Sequence, residues 1–167
     1  MDMARMAATP TGRRQGDAPP AVRRLADRAS RWLALGSPLV DLALRLVVGA
    51  VFFNSGLTKV ANWDSTLALF ENEYAVPLLP PELAAWLGTG VELVMPVLLV
   101  LGLGTRLAAA VTFVFNLVAV LSYPDLSPAG VRDHQYWGLM LLVTLVHGPG
   151  RLSLDHLIRR RFAGADA

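Results

Sequence analysis

The sequence predicts an all-α integral membrane four-helix bundle with a short amphipathic helix in the first outer loop. Three observations carry that reading. The 167 residues are 54% hydrophobic and only 17% charged, with a mean hydropathy of +0.46, whereas an ordinary soluble domain is about a quarter charged. Four apolar segments, roughly 38–60, 83–103, 107–122 and 129–147, follow a polar start. The third has no charge at all between Leu107 and Leu121, where a soluble amphipathic helix shows a charged face. A soluble bundle is the alternative this composition disfavours.

A hydrocarbon core of about 30 Å needs about 20 helical residues. The first two segments reach that length, and the last two rely on polar ends placed at the interface. Residues 1–37 form a tail with seven Arg against three Asp. The first twenty are expected to be disordered. Between Ala21 and Leu33, apolar Val22, Leu25, Ala29, Trp32 and Leu33 recur at helical spacing among arginines. A basic amphipathic helix over 21–33 follows, lying on an anionic membrane face or standing as a solvated tail. No short apolar core with a small-residue cleavage site marks a signal peptide.

After the first segment, Asp64 or Ser65 is placed to cap a helix, with Leu67, Phe70 and Tyr74 on one face and Ala75–Pro81 as its stop. This helix is expected to lie over the bundle as a lid. The membrane domain is bounded at 38–150, and 151–167 form a basic tail. There Gly148-Pro-Gly ends the last span, and Ser153 or Asp155 starts a short surface helix. Its Leu154, Leu157, Ile158 and Phe162 would dip into lipid while Arg151, Arg159, Arg160 and Arg161 meet headgroups. The 61–82 stretch carries Asp64, Glu71, Glu73 and Glu82 and no basic residue. Basic flanks belong in the cytoplasm, so both termini are expected inside a bacterial inner membrane. Trp63, Trp86, Tyr123, Tyr136 and Trp137 fall near the outer ends as an aromatic belt.

From Leu83 to Leu103 the only charge is Glu92. A charge in mid-span costs about 2.5–3.5 kcal/mol, so it should face the bundle interior and have a partner. In the first span Asp41, Arg45, Gly49, Phe52, Gly56 and Lys59 fall on one stripe. The second span offers Gly88, Glu92, Met95, Pro96 and Leu99. Glycines allow the two stripes to close on each other. Counted from the expected cytoplasmic ends, Arg45 lies about 9 Å deep and Glu92 about 17 Å, which sets Arg45 opposite Glu92. Lys59 is expected to snorkel to the outer surface. Asn116 would complete the network, and Asn54 would make a separate interhelical contact. Pro96, one turn after Glu92, should loosen the helix beside the carboxylate. The pair is read either as a purely structural ion pair or as part of a ligand site.

Other chemistries are excluded or thinly supported. There is no cysteine, hence no disulfide and no thiolate site. The net charge of +2 points to no nucleic-acid partner. No Walker, dinucleotide, zinc-protease or serine-triad pattern occurs. His147 has no evident second axial ligand, so haem is not expected. A metal is not expected either; His134 and Asp133 with the acidic outer loop are the candidates that exist.

These residues resemble the DoxX family of small four-helix membrane proteins from about Asp41 to Ile158. The resemblance rests on Arg45-Leu-Val-Val-Gly-Ala-Val-Phe-Phe with Ser55-Gly56, Lys59 and Trp63. It also rests on Glu92 with Leu101-Gly-Leu-Gly-Thr-Arg106, and on Gly148-Pro-Gly-Arg-Leu-Ser-Leu-Asp155. Phe70–Pro81 looks like a branch of the family found beside genes for metal-related peptide maturation. The resemblance implies roles in quinone-dependent sulfur oxidation, terminal oxidase complexes or oxidative-stress assemblies.

The leading expectation is an accessory subunit of a redox or stress-response assembly rather than an independent enzyme. Arg45, Glu92 and Asn116 would line a midplane pocket for a quinone or lipid-like ligand. The alternatives are a small-solute or ion carrier with Glu92 as a protonatable gate, and a purely structural scaffold. Expected partners are membrane lipid, redox or metal-stress proteins, and a second copy in a homodimer.

Overall fold

The computed structural model describes residues 20–163. The expectation of disorder in the first twenty residues therefore lies almost wholly outside the described residues. Among the described residues six α-helices and no strand occur: α1 (Pro20–Ala61), α2 (Trp63–Asn72), α3 (Pro81–Leu101), α4 (Thr105–Ser122), α5 (Pro128–His147) and α6 (Leu154–Ala163). The part of α1 up to Leu35 belongs to a unit of its own, and its residues 21–35 are exposed.

Helix α1 carries Pro38 in its interior, so the first span does not begin at that proline. Three helices, α1, α3 and α4, are long and apolar enough to cross a membrane. Helix α5 falls short because Arg132, Asp133, His134 and Gln135 occupy its first two turns. It nevertheless runs alongside α4 for its whole length. Asn116 of α4 bonds His134 near the start of α5, and Arg106 donates to the Val146 carbonyl near its end. The expected four spans are therefore three clearly apolar helices and one more polar companion.

Glycines set the contact of α1 with α3. A Cβ on Gly49 would lie 2.8 Å from Val100 Cγ2, and one on Gly56 would lie 2.9 Å from Leu93 Cδ2 and 3.1 Å from Glu92 Cβ. The backbones thus approach where side chains are missing. Val48, Phe52, Leu99, Ala108, Ala109 and Leu141 form the buried centre. Phe52 meets Phe115 and Trp137 edge-on. Large apolar residues such as Leu57, Val94, Leu107, Leu121 and Leu139 remain exposed. An apolar exterior around a core holding arginine and glutamate is the arrangement a bilayer requires.

The short helices seal the two ends. Asn62 caps α2, its side chain accepting from Ser65 N at 3.1 Å, in place of the expected Asp64 or Ser65. Thr66 Oγ1 lies 3.0 Å from the carbonyls of both Lys59 and Asn62, which share its one proton and fix the turn between α1 and α2. Phe70 of α2 packs with Ala84 and Ala85 of α3. The connection to α3 passes through Leu78 at φ 66, a conformation that costs an L-residue about 1–2 kcal/mol. Ala75 N then donates to the Ser122 carbonyl, tying this loop to the end of α4. At the opposite end α3 stops at Gly102 and α4 begins after Gly104, both left-handed.

Candidate functional site

The one lysine in the sequence, Lys59, holds Glu92. Its Nζ lies 2.8 Å from Glu92 Oε1 and 2.7 Å from Oε2, and donates to Ser55 Oγ at 2.9 Å. Ser55 in turn donates to Glu92 Oε1 at 3.0 Å. Ser55 and Lys59 stand one helical turn apart on α1, so both face α3. The small Gly56 between them lets Glu92 come close.

This cluster lines a cavity of about 240 Å³ between α1, α3, α4 and the loop that joins α2 to α3. The walls are mostly apolar, with Leu87, Val91, Phe115 and Val118 among them; Phe70, Tyr74, Val76 and Leu79 close it from the α2 side. The lid expected from the sequence is therefore present. Its aromatic residues interlock: Phe70 and Tyr74 lie 4.9 Å apart between ring centres, and Tyr74 and Tyr123 lie 5.1 Å apart. Tyr123 Oη donates to Glu73 Oε2 at 3.3 Å. The Glu73 charge, then burial and that hydrogen bond, push the Tyr123 phenol up. Burial, then Tyr123, Glu92 and Glu73, push the Tyr74 phenol up as well, so Tyr74 stays a neutral hydroxyl.

Two more polar residues line the cavity. His134 Nδ1 lies 2.8 Å from Asn116 Oδ1, and Asn116 Nδ2 donates to the His134 carbonyl at 3.0 Å. A carbonyl only accepts, so the amide nitrogen faces it and the amide oxygen faces the ring. Nδ1 therefore carries the proton and Nε2 is left as an acceptor. Ser122 is 3% exposed, and its hydroxyl has no hydrogen-bond partner among the described residues.

Arg45 is elsewhere. It is fully buried near the other end of the bundle, its Nη1 donating to the Leu99 carbonyl at 3.1 Å, its Nη2 to the Leu152 carbonyl and its Nε to the Asp41 carbonyl. The expected Arg45–Glu92 pairing is thus corrected: Lys59 is the partner, and it does not snorkel. The expected register takes the first span to begin near Pro38, whereas Pro38 lies inside α1. Arg45 lies level with Leu99, about two turns of α3 from Glu92.

Around Arg45 the chain ties the connections at that end of the bundle together. Asp155 accepts from Gly104 N at 2.9 Å and from Thr105 N and Oγ1 at 3.0 Å, capping α4 across 50 residues of sequence. Its own N–H bonds the Gly102 carbonyl at 2.9 Å. Burial raises the Asp155 carboxyl, but the Thr105 and Gly104 hydrogen bonds and the Arg159 charge outweigh it and hold it below the ordinary value of 3.8. Asp41 meets His147 Nδ1 at 3.4 Å.

The remaining expected residues are dispersed. Asn54 is exposed, and its backbone carbonyl accepts from Thr58 on the same helix. Asn116 joins His134 rather than Glu92. Asp133 is exposed, and among the described residues no group of three potential metal ligands occurs. Arg151, Arg159, Arg160 and Arg161 are exposed. Sequence reasoning missed Ser55, Ser122 and Asp155 as bonding or cavity residues. Ser55 was findable, four residues before a lone lysine; the other two owe their roles to long-range docking.

Against known proteins, the DoxX family model matches residues 40–124. A relative from Haemophilus influenzae, described as an uncharacterized protein, is 32% identical over 133 residues, covering 75% of this chain and 87% of the relative. The chain belongs to the DoxX family. No solved structure matches it. The DoxX match takes in Ser55, Lys59, Glu92 and Ser122, so most of the cavity lies within it, whereas His134 and Asp155 lie beyond.

Proposed function

We propose that this DoxX-family membrane protein is an accessory subunit of a redox or stress-response assembly, holding an amphiphile of the quinone or lipid-like class in the Lys59–Glu92 cavity. One observation carries the reading: a bonded Lys59–Glu92–Ser55 cluster on the wall of a mostly apolar cavity inside a membrane-type bundle. Ligand sites are typically apolar hollows with a few placed polar groups. An ionic group kept at such depth more often serves function than packing.

Orientation belongs to the same proposal. Arg106, Arg151 and Arg159–Arg161 gather at the Arg45 end, while Asp64, Glu71, Glu73 and Glu82 gather at the Lys59 end. The positive-inside bias favours an inner-membrane protein with both termini cytoplasmic and the cavity in the outer half. The carrier alternative needs a path from the cavity to the opposite face, and buried Val48, Phe52, Leu99 and Leu141 fill the bundle on that side. A scaffold role suits the Arg45 end, where Arg45 and Asp155 are bonded to the chain itself.

The test is native mass spectrometry of the gently extracted protein. The reading expects a co-purifying amphiphile that is lost from Lys59→Met and retained by Arg45→Met. An adduct-free wild type that also takes up no added quinone or phenol would remove the reading.

A further inference from the structure

The polar groups of the cavity differ in what they have left to offer. Lys59 has three N–H bonds, and all three have acceptors: Ser55 Oγ, Glu92 Oε1 and Glu92 Oε2. The Ser55 hydroxyl accepts from Lys59 and donates to Glu92 Oε1, so its proton is committed too. No donor remains in this cluster. Glu92 Oε2, with Lys59 as its one hydrogen-bonding neighbour among the described residues, keeps accepting capacity. His134 Nδ1 is committed to Asn116, which leaves the acceptor Nε2 on a ring that lines the same cavity.

The Ser122 hydroxyl is unspent as well, able to donate or to accept. Thr58, Thr112 and Thr144 each return their hydroxyl proton to the carbonyl four residues back, the usual recourse of a hydroxyl in an apolar helix. Among the described residues Ser122 and Thr89 are the buried hydroxyls without a hydrogen-bond partner, and of the two Ser122 sits on the cavity wall. A buried hydroxyl without a partner is costly, and a ligand group is the natural complement.

From this inventory we propose that the cavity selects ligands presenting a hydrogen-bond-donating hydroxyl, such as a quinol or a phenolic amphiphile, over the carbonyl or ether form of the same size. A hydroxyl donates to Glu92 Oε2 without disturbing the cluster. At the Glu92 end a quinone carbonyl brings only lone pairs and finds no free donor in the Lys59–Ser55–Glu92 set; the donors left in the cavity are the Ser122 and Tyr74 hydroxyls, which line it away from that set's own bonds. The oxygen of a carbonyl left facing a carboxylate is both unpaired and repelled. This inference rests on the ligand-cavity reading above and sharpens it to one form of the ligand.

The experiment uses the full chain in detergent and two matched probe pairs: duroquinol against duroquinone under anaerobic conditions, and nonylphenol against its O-methyl ether. Binding is read by tryptophan fluorescence, for which Trp63 and Trp86 lie near the outer loop. The hydroxyl member of each pair should bind about tenfold more tightly, the effect of one buried hydrogen bond made or missed. Ser122→Ala should weaken nonylphenol severalfold while the fold stays intact by circular dichroism. Equal affinity within both pairs, or tighter binding of quinone and ether, overturns the hydroxyl preference while leaving the cavity reading standing. Binding of none of the four probes overturns both.

Discussion

Lys59 and Glu92 form the ion pair of this bundle's interior, 2.7 Å apart, while Arg45 lies about two helical turns away and grips backbone carbonyls. The two buried cations therefore do different work. One faces a cavity, and the other locks the chain ends.

Breaking the Lys59–Glu92 pair from one side should be worse than removing both members. Lys59→Met strands a carboxylate in an apolar surround and should cost about 3 kcal/mol, whereas Lys59→Met with Glu92→Leu should recover most of that. Thermal unfolding in detergent of the two single variants and the double variant checks this. Equal loss in all three contradicts it.

Arg45→Met should loosen the connections at its own end and spare the cavity. Three hydrogen bonds from a charged group are lost, and each contributes about 1.5–3 kcal/mol. Proteolysis after Arg151 should accelerate, while probe binding stays within about twofold of wild type. A binding loss as large as that of Lys59→Met would return Arg45 to the site.

How far the sequence alone leads is visible in these two residues. The helices, the lid and the α1–α3 contact follow from hydropathy, Pro and Gly spacing and a shared stripe, all of them local signals. The partner of Glu92 does not. Arg45 and Lys59 share one stripe, so periodicity admits either, and only the axial register between α1 and α3 decides. That register is set by Gly49 against Pro96 and Val100 and by Gly56 against Leu93, and Pro38, inside α1, does not mark where the span begins. Ser122 and Asp155 were harder still, because ordinary helix-end residues acquire roles only when distant segments dock.

The clasp made by Asp155 should respond to acid. Its folded value is depressed, so its stabilisation is present above the unfolded value near 3.8 and is lost as pH falls through the lower folded value. Hydrogen exchange in α6 and in the first turn of α4 should therefore rise below about pH 4. Asp155→Asn should show that faster exchange already at neutral pH and a flatter acid response. An unchanged exchange profile in the variant contradicts the clasp.

Gly56→Leu should push α1 from α3 where Leu93 and Glu92 sit closest. Overpacking of this kind costs about 1–3 kcal/mol, and the displaced Lys59–Glu92 pair should lower probe affinity together with stability. Gly90, whose added Cβ would meet nothing within 4 Å, is the control: Gly90→Ala should leave both unchanged.

The most direct test of the central claim is a titration of nonylphenol into wild type, Lys59→Met and Arg45→Met, read by tryptophan fluorescence. The Lys59–Glu92 cavity predicts saturable binding that Lys59→Met weakens at least about tenfold and Arg45→Met leaves in place. Binding that survives Lys59→Met and disappears with Arg45→Met would contradict it.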